Sequence, residues 1–262
     1  MHPALWISKT GVDAQQTDIS VISNNLANAS TVGYKKGRAV FEDMLYQNVR
    51  QPGSQSSQNT ELSSGLMLGT GVKVVGVSKS FTQGNMIVTD NATDVAIQGR
   101  GFFQVLLPDG TAAYSRNGEF SLDNTGQLVT GGNGYVVQPA ITIPQDAQSI
   151  SVGQDGTISV QLPGQTAPSS VGNLTLVDFV NPAGLQPMGE NLFKETASSG
   201  AATTGTPGLA GFGSLVGGAL EASNVSVVEE LVGLIETQRT YEMNSKVISA
   251  VDDMMSFINQ TL

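Results

Sequence analysis

The chain has 262 residues, 13% of them charged, with 31 glycines, one histidine, no cysteine and a formal net charge of −10. The missing cysteine excludes disulfides, thiolate metal sites and thiol nucleophiles, and a negative chain without clustered Lys and Arg is a poor partner for nucleic-acid phosphates. No apolar run reaches the ~20 residues a membrane helix needs.

The N-terminus lacks the basic start of a secretory signal, and Lys9, Thr10 and Asp13 interrupt its apolar residues. Any export is therefore expected to proceed without signal cleavage. A long amphipathic helix is predicted from Pro3, whose missing N–H costs nothing at a first turn, to about Asn28. Leu5, Val12, Ile19 and Leu26 repeat every seven residues, with Ile7, Ala14 and Val21 on an adjacent face. A heptad repeat marks helices that pack lengthwise on other helices. Gly33 is placed to end the segment in a left-handed turn.

Residues 34–50 hold a short amphipathic piece. The stretch 51–60 carries no apolar residue except Pro52 and reads as a linker or an arm held by a neighbour. From residue 72 the apolar period becomes two. Gly101-Phe-Phe-Gln-Val-Leu-Leu107 and Thr157-Ile-Ser-Val-Gln-Leu162 read as strands. Pro108-Asp-Gly110, Asn117-Gly118, Asn124-Thr-Gly126, Asn133-Gly134 and Asp155-Gly156 are turn signals, so an antiparallel β region is predicted. Residues 198–219 are rich in Gly, Ala, Ser and Thr and read as a connector. Ser226-Val-Val-Glu229 is a capping-box pattern. It opens a second helix in which Val227, Leu234, Tyr241, Ile248 and Met255 fall seven apart.

The expected fold is α+β and multi-domain. Residues 1–33 and 220–262 form a terminal helical domain paired in coiled-coil fashion, 34–71 a linker with an extended arm at 46–65, and 72–197 an antiparallel β domain. The expected packing seam between subunits is Leu5, Val12, Ile19, Leu26, Val227, Leu234, Tyr241, Ile248 and Met255. The expected inter-subunit arm is Gln51, Pro52, Gly53, Ser54, Gln55, Ser56 and Ser57.

No active site emerges. His2 stands alone near the terminus, unsuited to a catalytic triad or a metal site. Gly99-Arg-Gly101 is followed by a strand, not by the helix a phosphate loop requires. Glu42-Asp43, Glu229-Glu230 and Asp252-Asp253 read as solvated faces, because adjacent helical residues point about 100° apart. Asp94, Glu119 and Asp123 are the carboxylates that could converge in the β region. Lys35-Lys36-Arg38 reads as a solvated loop. No cofactor, catalytic residue or metal is expected.

Four segments carry a resemblance. Ile22-Ser-Asn-Asn-Leu-Ala-Asn-Ala-Ser-Thr-Val-Gly-Tyr-Lys35 resembles the N-terminal motif of bacterial flagellar rod and hook axial proteins. Asp94-Val-Ala-Ile-Gln-Gly-Arg-Gly-Phe-Phe-Gln-Val105 and Tyr114-Ser-Arg-Asn-Gly-Glu-Phe120 are similar to the central motifs of that family. Gln238-Arg-Thr-Tyr-Glu-Met-Asn-Ser-Lys246 is similar to its C-terminal one. The resemblance implies a structural subunit, exported by the flagellar type III apparatus, that polymerises into a hollow helical filament in the basal body. The 46–65 arm points, within the family, to the distal rod. The implied partners are further copies of the chain, proximal rod proteins, the hook protein and the P-ring and L-ring proteins, with no nucleic acid and no membrane insertion. The alternatives are a proximal rod or hook subunit, and, in other classes, a peptidoglycan hydrolase or a secreted adhesin.

Overall fold

The computed structural model describes residues 3–51, 55–57, 60, 61, 64–165 and 167–261. The chain divides into two compact units. Unit 1 holds residues 1–27, 37–79 and 226–262, and unit 2 holds 28–36 and 80–225.

Unit 1 contains α1 (Pro3–Ala27), β1 (Gly37–Asp43), β2 (Gln47–Arg50), β3 (Gln55–Ser57), β4 (Thr60–Glu61), β5 (Leu66–Leu68), β6 (Val72–Lys79) and α2 (Val227–Thr261). Both helices form where the heptads predict them. Helix α2 starts directly after Ser226, whose carbonyl accepts the Glu230 N–H at 3.0 Å. The two helices run antiparallel. Gly11 faces Asn244, Ile22 faces Gly233 and Asn25 reaches Glu230. The amphipathic piece at 34–50 is not helical: β1 pairs with β6 in an antiparallel ribbon and β2 pairs with β5. β-Branched Val40, Val72, Val74, Val75 and Val77 favour the extended form. Within the arm, β3 pairs antiparallel with β4 through Gln55↔Glu61 and Ser57↔Thr60.

Unit 2 contains, in order, β7 (Met86–Val88), β8 (Val95–Gln98), β9 (Phe103–Leu106), β10 (Ala112–Ser115), β11 (Phe120–Leu122), β12 (Leu128–Thr130), β13 (Val136–Gln138) and β14 (Ser149–Val152). There follow β15 (Thr157–Gln161), β16 (Ser169–Asn173), β17 (Leu176–Asp178), β18 (Gln186–Gly189), β19 (Leu192–Lys194), β20 (Thr203–Gly205), β21 (Ser214–Gly217) and β22 (Ala219–Glu221). A seven-stranded sheet in the order β11-β12-β13-β9-β10-β19-β18 is its centre, and the pairings are antiparallel. Phe102 and Phe103 are adjacent, so the two-residue strand period sends them to opposite faces. Phe103 packs edge-on against Phe120 in one core cluster, and Phe102 against Phe81, Phe179 and Phe193 in another. A strand with both faces covered explains the continuous apolar run there.

Turn chemistry places several hairpins. Gly110, Gly126, Gly134 and Gly156 all take positive φ in the turns expected of them. Asn117-Gly118 differs: Gly118 has no positive φ, and a Cβ there would collide with the Val95 carbonyl oxygen. It permits a close backbone crossing, where Val95 N–H donates to its carbonyl at 3.0 Å. The stretch expected to be a connector, 198–219, contains β20 and β21 and the start of β22. These strands pair with β17, β8 and β7. Small residues suit a strand packed closely on its neighbours, a context that composition does not reveal.

Candidate assembly surface

The large apolar side chains of unit 1 mostly face outward. On α2, Val228 is 72% exposed and Met243 66%. Val232, Ile235 and Val247 are also exposed, so apolar residues recur along one side of the helix, interrupted at Arg239. The ribbon and hairpin strands add Phe41, Val75 and Val49, and Leu45 is 91% exposed. Pro3, Trp6 and Ile7 of α1, with Gln47, Leu68 and Thr70, border a groove of about 460 Å³. Such extended apolar surface on a water-soluble domain marks an interaction site.

The expected seam residues divide. Leu5, Val12, Ile19, Leu26, Leu234 and Ile248 are half-buried, and Val227, Tyr241 and Met255 are exposed. The buried residues of the two helices are others: Ser8, Ala14, Ile22 and Asn25 on α1, and Glu230, Thr237 and Val251 on α2. Polar Asn25, Glu230, Asp18 and Thr237 therefore take part in the contact within the chain, a role the apolar heptads could not reveal. In the arm, Gln51 is exposed, Gln55, Ser56 and Ser57 form β3, and Pro52, Gly53 and Ser54 lie outside the described residues, as does His2.

Unit 2 overturns the reading of Lys35 as solvated. Its Nζ is fully enclosed and lies 2.6 Å from Glu221 Oε1, and it donates to the Thr82 carbonyl at 2.8 Å. Arg116 Nε stands 3.1 Å from Glu221 Oε2, an ion pair without a well-aligned hydrogen bond. The guanidinium also donates to the Gly99 and Gly101 carbonyls. Glu221 Oε1 further accepts the Gly84 N–H, and its backbone carbonyl accepts the Gly33 N–H. Burial pushes the Lys35 ammonium pKa down, opposed by its bond to Glu221; burial lowers Arg116 likewise. A pair 186 residues apart in sequence gave no local signal. Gly33 does take the left-handed turn expected of it, and a Cβ there would also crowd the Asn117 backbone.

The carboxylates weighed for chemistry are occupied or apart. Asp94 is buried and accepts from Thr89 and Asn91, while Glu119 and Asp123 are exposed. Glu230 corrects the solvated-face reading, being 8% exposed and bonded to Asn25, while Glu229, Asp252 and Asp253 are exposed. Arg100 of the glycine-flanked loop pairs with Asp178 at 3.1 Å. Among the described residues, no group of three or more His, Cys, Asp or Glu side chains is placed to hold a metal, and no helix is long and apolar enough to cross a membrane.

Two terminal helices with outward apolar faces are the features of a chain that packs against neighbours. Sequence profiles agree. Residues 7–35 match one described as "Flagella basal body rod protein", 96–160 one described as "Flagellar hook protein FlgE/F/G D1 domain", and 216–261 one described as "Flagellar basal body rod FlgEFG protein C-terminal". The chain is 55% identical to the flagellar basal-body rod protein FlgG of Buchnera aphidicola subsp. Schizaphis graminum, over 99% of this chain and 100% of that one. It is 48% identical to FlgG of Caulobacter vibrioides over 98% of both chains. The flagellar hook protein FlgE of Escherichia coli is 23% identical, over 94% of this chain and 97% of that one. The chain belongs to the FlgG family of flagellar basal-body rod proteins, which are structural subunits and not enzymes.

Proposed function

We propose that the chain is a subunit of the distal rod, polymerising into a hollow helical shaft that crosses the periplasm and peptidoglycan. The helical segments form the tube's inner layer, paired as a coiled coil, and the β unit its outer layer. The shaft carries torque to the hook and leaves a channel for export. The observation that carries this reading is the set of large apolar side chains that unit 1 leaves exposed along α2 and its strands, the kind of surface that marks an interaction site. A hollow helical filament follows when a heterologous contact repeats without closing into a ring. The expected seam, Leu5 to Met255, and the arm at 51–57 are then contacts between copies. Proximal rod proteins and the hook protein adjoin the ends of the shaft, the P and L rings surround it, and the type III apparatus delivers the chain.

The test is electron microscopy of basal bodies from a strain lacking the gene. Rods that stop short, without distal segment or hook, are the expected result, and the position of the break separates distal from proximal assignment. Complete rods with hooks would overturn the proposal.

A further inference from the structure

Across the contact between α1 and α2, four facing pairs carry a polar side chain or a glycine. Asn25 Nδ2 donates to Glu230 Oε2 at 3.1 Å. Thr237 Oγ1 lies 3.3 Å from Asp18 Oδ2 while also reaching the Gly233 carbonyl at 2.8 Å. The Asn244 side chain sits over Gly11, where an added Cβ would stand 2.9 Å from its Nδ2. Ile22 sits over Gly233, its Cδ1 3.8 Å from where a Cβ would be. Along α1 the positions are 11, 18, 22 and 25, and along α2 they are 244, 237, 233 and 230. Every step up one helix is matched by an equal step down the other, so the pairs belong to one continuous antiparallel register.

We propose that these four pairs are a register lock. They select the α2 of the chain's own α1, in one alignment, among the many helices that copies of the chain bring together. Outward apolar residues supply adhesion but little discrimination. A buried polar contact and a knob over a glycine are lost when the helices slide.

Both one-heptad slips show this. Sliding one way brings Asp18 opposite Glu230, two carboxylates in a buried seam, and carries Asn25 past the start of α2. Sliding the other way brings Asn25 opposite Thr237 and Asp18 opposite Asn244, so polar still meets polar. There the glycines discriminate. Asn244 loses its gap at Gly11, which would face Val251, and Ile22 meets Thr240 instead of Gly233. The amide of Asn25 also fixes where the register starts. Its Nδ2 donates to the Gly37 carbonyl and its Oδ1 accepts the Gly37 N–H, both at 2.8 Å, clamping α1 to the head of β1.

The absence of cysteine allows a direct test in the full-length chain, oxidised in isolated basal bodies and mapped by mass spectrometry. Gln15→Cys with Thr240→Cys reports the observed register without touching a lock residue, and Gln15→Cys with Val247→Cys reports the slipped one. The expected result is an intrachain link at the first pair at least tenfold above the second. Replacing Asn25, Glu230, Asp18 and Thr237 together by Leu should raise the slipped link to a comparable level. Exclusive linking at 15/240 in that variant would overturn the lock, as would equal linking at both pairs, or links only between copies, with the parent lock residues. If the Leu variant gives no link, Gly11→Leu decides. It should weaken the 15/240 link by driving Asn244 out, and an unchanged link would equally overturn the inference.

Discussion

The two units use apolar residues in opposite ways. Unit 2 encloses them: Phe103, Val105, Ile97, Leu174, Leu176 and Leu215 are all inaccessible to solvent. Among the described residues of unit 1, the buried apolar side chains are Ala14, Ile22, Ala39 and Val251. Among the described residues, all but seven of the exposed large apolar side chains lie in unit 1, the exceptions being Ile87, Val88, Leu106, Leu122, Val180, Met188 and Leu209. Each buried large side chain contributes about 1.5–3 kcal/mol. Unit 2 therefore has an interior of its own, while unit 1 leaves most of its large apolar side chains exposed. A long helix with few buried contacts does not recover its ordering entropy alone.

The largest expected effect removes the anion that two cations of unit 2 share. Glu221→Leu leaves Lys35 and Arg116 buried without compensation, and breaking such a pair costs about 3–5 kcal/mol. Calorimetry of the full chain should show the unit 2 transition lost or lowered by well over 10 °C. Adding Lys35→Met should restore part of it. A single mutant as stable as its parent would mean the carboxylate is not the keystone of this cluster.

A pair of substitutions next sets the units directly against each other. Phe103→Ala empties a site inaccessible to solvent and should cost about 3–5 kcal/mol in chemical unfolding, wherever the chain is measured. Val232→Asp alters a side chain 60% exposed. Its effect on the free chain should stay within about 0.5 kcal/mol, yet it should abolish rod assembly and swimming. If both behave alike in either assay, the contrast between the units fails. Amide exchange in the free chain should sharpen the same contrast, with protected strands in unit 2 and fast exchange over residues 3–27 and 227–261. Strong protection of those helices in a verified monomer would mean that unit 1 is self-sufficient.

The helices, the hairpin turns and the antiparallel β region were legible because each rests on a local signal: the seven-residue period of Leu5–Leu26, or the Asp-Gly pair at 109–110. The family was legible from motifs spread over the chain. What escaped were features made by distant residues. Lys35 looks solvated beside Lys36 and Arg38 until Glu221 is brought to it. The glycines at 11 and 233 look like weak points in helices, but each receives a side chain from the other helix. The ribbon of β1 and β6 was hidden because its pairing, from Asp43↔Val72 to Gly37↔Lys79, joins residues far apart in the sequence. The apolar heptads mark helix positions suited to packing, but the pattern of one chain does not separate contacts made within it from contacts made to a copy.

The smallest expected effect lies in two turns of unit 2 and distinguishes local from global stabilisation. Asp109 accepts the Thr111 N–H at 3.0 Å and its hydroxyl at 2.7 Å, and Asp155 treats Thr157 in the same way. These bonds favour the ionised carboxylate, so both pKa values fall below the ordinary 3.8, for Asp109 chiefly through the Thr111 hydroxyl and for Asp155 chiefly through the Thr157 N–H. The sign follows from linkage. A carboxylate with a lowered folded pKa adds stability that is complete above about 3.8 and is lost as pH falls through the folded value. Both groups lie fully at the surface, where water and salt screen the gain. Carboxyl carbon titration by NMR should therefore give midpoints below 3.8 at both residues. Asp109→Ala and Asp155→Ala should each flatten the acid limb of the unit 2 stability curve slightly, without altering rod assembly. A midpoint at or above 3.8 would show that the turn bonds do not hold in solution. A loss of assembly would show instead that these turns, and not only unit 1, meet a neighbour.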